Sequence, residues 1–93
     1  MAFTDHEIAE AHQMVRERDD SDILYKLGLI YSTGQELDLV QAHMWFNLAA
    51  ASGDATAAKE AIKERDSIAG NMTPEQISEA QRLAREWKPK RNK

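Results

Sequence analysis

Three histidines, a short run of aspartates and scattered serines are the side chains here whose types and spacing could do chemistry. His6 and Glu10 stand four residues apart, which on a helix places two potential metal ligands on one face. Zinc needs three or four such ligands, and nothing near them supplies the rest. Asp19, Asp20 and Asp22 suggest calcium, yet that stretch lacks both the central glycine and the closing bidentate glutamate a calcium loop needs. Ser21, Ser32, Ser52, Ser67 and Ser78 fall at predicted helix ends or on helix faces, without the strained elbow that exposes a nucleophile. Glu60 and Glu64 stand among Lys59, Lys63 and Arg65, the pattern of a solvated, ion-paired helix face rather than of catalytic carboxylates. His43 neighbours Trp45 and Phe46 and reads as a packed or interfacial imidazole whose protonation could tune a contact. There is no phosphate-cradling glycine loop. The absence of cysteine removes disulfides, thiolate metal clusters and cysteine nucleophiles. The expectation is a non-enzymatic chain without metal or cofactor.

Ninety-three residues suffice for one small domain with a modest core. Hydrophobic residues at 42% and charged residues at 30% are ordinary for a globular chain. The longest run without charge, Leu39 to Gly53, is too short to cross a bilayer and contains Gln41, His43 and Asn47. No basic patch followed by an apolar stretch opens the chain, so a cytoplasmic protein is expected. Charge is distributed unevenly. Residues 1–86 hold all 16 acids and 8 of the 12 bases, a net of −8, whereas Lys88, Lys90, Arg91 and Lys93 close the chain without an acid. Residues 1–87 are expected to form the domain and 88–93 a basic, disordered C-terminal tail.

Five helices can be read from caps and periodicity. Thr4 and Glu7 form a capping box, with Phe3 and Ile8 at the hydrophobic-staple positions, and the stripe Ile8, Ala11, Val15 follows. Asp19, Asp20, Ser21 and Asp22 offer cap side chains to a second helix carrying Leu24, Leu27, Gly28 and Tyr31, which stops at Gly34. Asp38 can cap a third helix that runs to Gly53 and is apolar nearly all round, from Val40 through Ala51, so it should pack on more than one side. A fourth starts at Asp54 and ends near Gly70 and Asn71. The fifth repeats the opening signature, with Met72, Thr73, Pro74 and Gln76 ahead of Ile77, Ala80, Leu83, Ala84 and Trp87. No segment alternates with period two, so the chain is expected to be all-α.

The stretch 23–58 carries Leu27, Gly28, Tyr31 and Gly34, then Ala42, Trp45, Ala49, Ala50, Gly53 and Ala57. In this order and spacing they resemble the Sel-one-like repeat, a relative of the tetratricopeptide repeat. Small residues at Gly28, Ala49 and Ala50 suit a close helix crossing, and Tyr31 and Trp45 fill the adjoining space. Ile23 stands where the family often has alanine, and the link after Gly34 is shorter than usual. A shift of 34 residues maps Ala42, Trp45 and Ala49 onto Ile8, Ala11 and Val15, and Leu27 and Gly28 onto Ala61 and Ile62, while Tyr31 meets Arg65. The implied architecture is an α-solenoid of antiparallel helical hairpins, about five helices, with one full repeat between degenerate capping halves.

Proteins of that family act as adaptors in multiprotein assemblies, often in bacterial signalling or envelope-related processes. The resemblance therefore implies a protein or peptide partner held in the helical-repeat groove. The groove-facing positions would be Asp22, Tyr25, Leu29 and Ser32, with Thr33 beside them; the alternative for Tyr25 and Leu29 is packing against the first helix. So short a stack could complete its burial as a homodimer. A second expectation from another class is a small nucleic-acid-associated or regulatory factor using Lys88, Lys90, Arg91 and Lys93, whose binding would fall steeply with salt. Four bases on an acidic body are a weak footprint for nucleic acid. The capping box at the start argues for a natural beginning over a fragment of a longer array.

Overall fold

A computed structural model describes residues 3–18, 20–33, 37–52 and 55–87. They form five helices and no strand: α1 Asp5–Glu17, α2 Ser21–Ser32, α3 Leu39–Ala50, α4 Ala55–Ala69 and α5 Pro74–Glu86. The expected helix ends at Gly34, Gly53 and Asp54, the cap candidate Asp19 and the basic segment 88–93 lie outside the described residues.

Local chemistry sets the helix starts. The Glu7 N–H donates to Thr4 Oγ1 at 3.1 Å while the Thr4 N–H donates to Glu7 Oε1 at 2.9 Å, closing the capping box of α1. That backbone donor holds the Glu7 carboxyl below its ordinary range. Thr73 and Gln76 make the same reciprocal pair ahead of α5, with Pro74 at its first turn. Asp38 Oδ1 accepts from the Gln41 N–H at 3.2 Å and caps α3. Asp20 differs from expectation. It occupies the cap position of α2 but makes no capping hydrogen bond, and its carboxylate pairs with Arg18 at 3.3 Å instead.

α2 and α3 form an antiparallel hairpin and pack more extensively on each other than any other pair. At one end the Asp38 N–H donates to the Tyr31 carbonyl at 2.8 Å, and at the other the Ser21 and Ser52 hydroxyls meet at 2.6 Å. α3 is the central helix, as its apolar circumference implies, contacting α2, α4 and α5. Ala42, His43, Met44, Trp45, Phe46 and Ala49 are all buried along it. Gly28 allows the hairpin to close, because a Cβ there would lie 2.5 Å from Cδ1 and 2.8 Å from Cζ of Phe46. α1 packs on α2 through Ala11 and Val15, with Phe3 and Ile8 partly buried against the same core. α4 and α5 each bury one residue fully, Ala61 and Ala80. The 34-residue correspondence holds at Ala61 but not at Ile62, which is 40% exposed where Gly28 is buried. Among the described residues no helix is long and apolar enough to cross a membrane.

Candidate functional site

The four sequence-predicted site residues divide into two pairs. Asp22 is exposed in the first turn of α2, and Tyr25 is half-buried one turn later. Both line a cleft of ≈ 220 Å³ whose opposite wall is Thr56, Ala57 and Glu60 of α4. Leu29 and Ser32 do not reach it. Leu29 is partly buried against the core, and the Ser32 hydroxyl turns back to donate to the Leu29 carbonyl at 3.3 Å. Thr33 spends its hydroxyl on the same carbonyl at 2.8 Å, so these two polar groups serve the end of α2.

Tyr25 packs against α3. Its ring tilts onto Phe46 of α3, with centroids 5.6 Å apart and planes at 54°. Phe46 is fully buried, so Tyr25, which lines the cleft, has a rigid apolar support. Burial pushes the Tyr25 phenol above its ordinary range, and the Glu64 and Glu60 carboxylates push it the same way by disfavouring a second anion.

These glutamates are not ion-paired as their neighbours suggest. Among the described residues the ion pairs are Arg18–Asp20, Arg65–Asp66, and Arg82 with Glu79 and Glu86. Arg65 also donates from Nη1 to Asn47 Oδ1 at 3.0 Å, and the Asn47 side-chain nitrogen lies 2.9 Å from His43 Nδ1. Arg65 is thereby drawn into a bridge between α4 and α3. The contribution of α4 to the cleft went unnoticed in the sequence. The available signal was the four-residue spacing of Thr56, Glu60 and Glu64, which places them on one face.

The remaining chemical candidates resolve into packing. His43 is 3% exposed, and burial together with Arg65 holds its imidazole below the ordinary range, so it is neutral in the fold. As acceptor from Asn47 at Nδ1, it carries its proton on Nε2. His12 meets the Tyr31 hydroxyl at 2.7 Å and lies edge-on to Trp45, which also meets Trp87 edge-on at 5.5 Å. His6 and Glu10 are exposed, and no three potential metal-ligating side chains cluster among the described residues. Two larger hollows, along α5 at Pro74–Arg85 and along α1 at Ala9–Glu17, are lined by one helix each. The α2–α4 cleft differs in being walled by two helices, with one aromatic residue and a carboxylate from each side in its lining.

Comparison with known proteins gives no match: no family model, no curated protein and no solved structure aligns with this chain.

Proposed function

We propose that this chain is a non-enzymatic, cytoplasmic protein-interaction module of the Sel-one-like type, taking a protein or peptide segment in the cleft between α2 and α4. The observation that carries the reading is the cleft itself, where Asp22 and Tyr25 of α2 face Thr56, Ala57 and Glu60 of α4. Its volume is below the roughly 300 Å³ at which small-molecule sites begin, and it suits one long side chain of a larger partner. The close approach of Gly28 to Phe46 and the burial of Ala42, Trp45 and Ala49 also fit the roles the repeat gives these positions.

The test places a photo-crosslinking residue at exposed Thr56 and irradiates the folded chain in an extract of its source cells. A protein adduct that disappears when Asp22→Lys and Glu60→Lys are added supports the reading. Adducts indifferent to those changes, or none, refute it.

A further inference from the structure

We propose that His43, Asn47 and Arg65 form an acid-operated latch between α3 and α4, in which a proton on His43 Nδ1 turns the Asn47 amide over and releases Arg65. The latch belongs to the fold and stands whether or not anything occupies the cleft.

The arrangement is a relay with one amide at its centre. Asn47 Oδ1 accepts from Arg65 Nη1 at 3.0 Å, and Asn47 Nδ2 lies 2.9 Å from His43 Nδ1. A guanidinium has donors and no acceptor, so Arg65 dictates which end of the amide it meets. The amide nitrogen is left for His43, whose Nδ1 must accept and so carries no proton. Arg65 on α4 thus fixes the tautomer of an imidazole on α3 through an asparagine that touches both. A proton on Nδ1 inverts the pattern. His43 then donates where it accepted, and Asn47 can meet it only by presenting its one oxygen. That turns the NH2 toward the guanidinium, so donors face donors at one end or the other and neither orientation of the amide holds both partners.

Burial and charge set the direction. His43 is buried, and the charges acting on it are those of Arg65 and Asp66, both on α4. Neither α2 nor α5, the other helices packed on α3, adds a charge to that balance. Burial and Arg65 outweigh Asp66, so the imidazole is held below its ordinary range and the closed latch excludes the proton. The closed state is at full strength above the ordinary histidine value of about 6.5 and is lost as the pH falls below it. Once released, Arg65 keeps Asp66, whose Oδ1 already accepts from its Nε and Nη2 at 3.3 Å. Ala61 is the one fully buried residue of α4, and beyond Arg65 the side chain of Ile68 is only partly buried, so the bridge governs the second half of the helix. α4 also supplies Thr56, Ala57 and Glu60 to the cleft, and the same proton loosens that wall.

Nuclear magnetic resonance on the full chain tests this. At a pH of about 7.5 the His43 ring nitrogens should report a proton on Nε2 and none on Nδ1. Between pH values of about 7 and about 5, with helicity retained by circular dichroism, the amides of residues 61–69 should lose exchange protection relative to those of α2. The loss, corrected for the intrinsic exchange rate, should reach about tenfold per pH unit. His43→Gln, whose side chain takes no proton in this range, should abolish it. Asn47→Asp separates the turning of the amide from the mere burial of a charge. A carboxylate offers an oxygen to each partner, so Arg65 stays held when His43 is protonated. In that variant the His43 titration should move above its ordinary range, and α4 should keep its protection at a pH of about 5. If Asn47→Asp fails to fold, Arg65→Gln replaces it and should likewise keep protection, because its carbonyl can accept from the turned amide. A proton on Nδ1 at neutral pH, a loss of protection shared equally by every helix, or an acid step that the folded variant leaves in place would each overturn the proposal.

Discussion

Replacing Gly28 by alanine sets two effects of opposite sign against each other. Inside a helix, alanine is favoured over glycine by about 1 kcal/mol, because glycine loses more backbone freedom on folding. Against that, the new Cβ would stand 2.5 Å from Cδ1 and 2.8 Å from Cζ of Phe46, where ordinary contact begins near 3.4 Å. The ring has nowhere to go: Phe46 is 0% exposed, and Tyr25 lies on it at 5.6 Å. Overpacking a closed core costs about 1–3 kcal/mol, and a contact this short against a fixed ring belongs at the upper end. The net expectation is a loss of about 2 kcal/mol, or a fall in Tm of about 8–16 °C for a chain of this length. Thermal and urea unfolding followed by circular dichroism measure it. A Tm that is unchanged or raised would mean that helix propensity wins, and would refute the claim that glycine is required for the crossing. A Phe46→Leu background supplies the partner test, because the same alanine should cost at least about 1 kcal/mol less once the ring is gone.

Stability should also respond to acid through His43. Its imidazole is held below the ordinary value by burial and Arg65, so the unfolded chain takes a proton that the folded one refuses. Stability should be flat above about pH 6.5 and fall below it by up to about 1.4 kcal/mol per pH unit. His43→Gln, which leaves His6 and His12 in place, should flatten this limb between pH values of about 5 and 7 in urea titrations; an unchanged limb would assign it elsewhere. Thr73→Ala opens the capping box of α5 and should cost about 1 kcal/mol, while Thr73→Ser should cost little, both read from urea midpoints.

The legible parts of this sequence were those decided within a few residues. Thr4, Asp38 and Thr73 announced their helices because an N-cap needs only a side-chain oxygen and a backbone N–H three residues on. The central place of α3 was legible from its lack of a polar face, since such a helix must be covered on several sides. The illegible parts depended on choices between exposed partners of nearly equal energy. Asp20 took Arg18 rather than the helix end, and Arg65 took Asp66 and Asn47 rather than Glu64. Exposed ion pairs differ by less than about 1 kcal/mol, so sequence neighbours do not rank them. Of the four groove positions, Asp22 and Tyr25 reached a common cleft, while Leu29 turned to the core and Ser32 to a backbone carbonyl. That division follows from where α4 crosses α2, a tertiary fact that periodicity along α2 alone does not contain.

One ring ties the scaffold to the cleft. Phe46 is both the atom set that would meet a Cβ at position 28 and the surface on which Tyr25 lies. A change that pushes the ring must therefore move the cleft's aromatic wall as well as strain the hairpin. Asp22 and Glu60 sit on the rim and are exposed, so altering their charge leaves Phe46 untouched. The two kinds of perturbation should consequently separate in experiment. Rim charge changes should abolish the Thr56 adduct at constant Tm, whereas Gly28→Ala should lower Tm and weaken the adduct together. If Gly28→Ala lowered Tm but left the Thr56 adduct unchanged, Phe46 would not be the support for Tyr25, and the cleft would have to owe its shape to α4 alone.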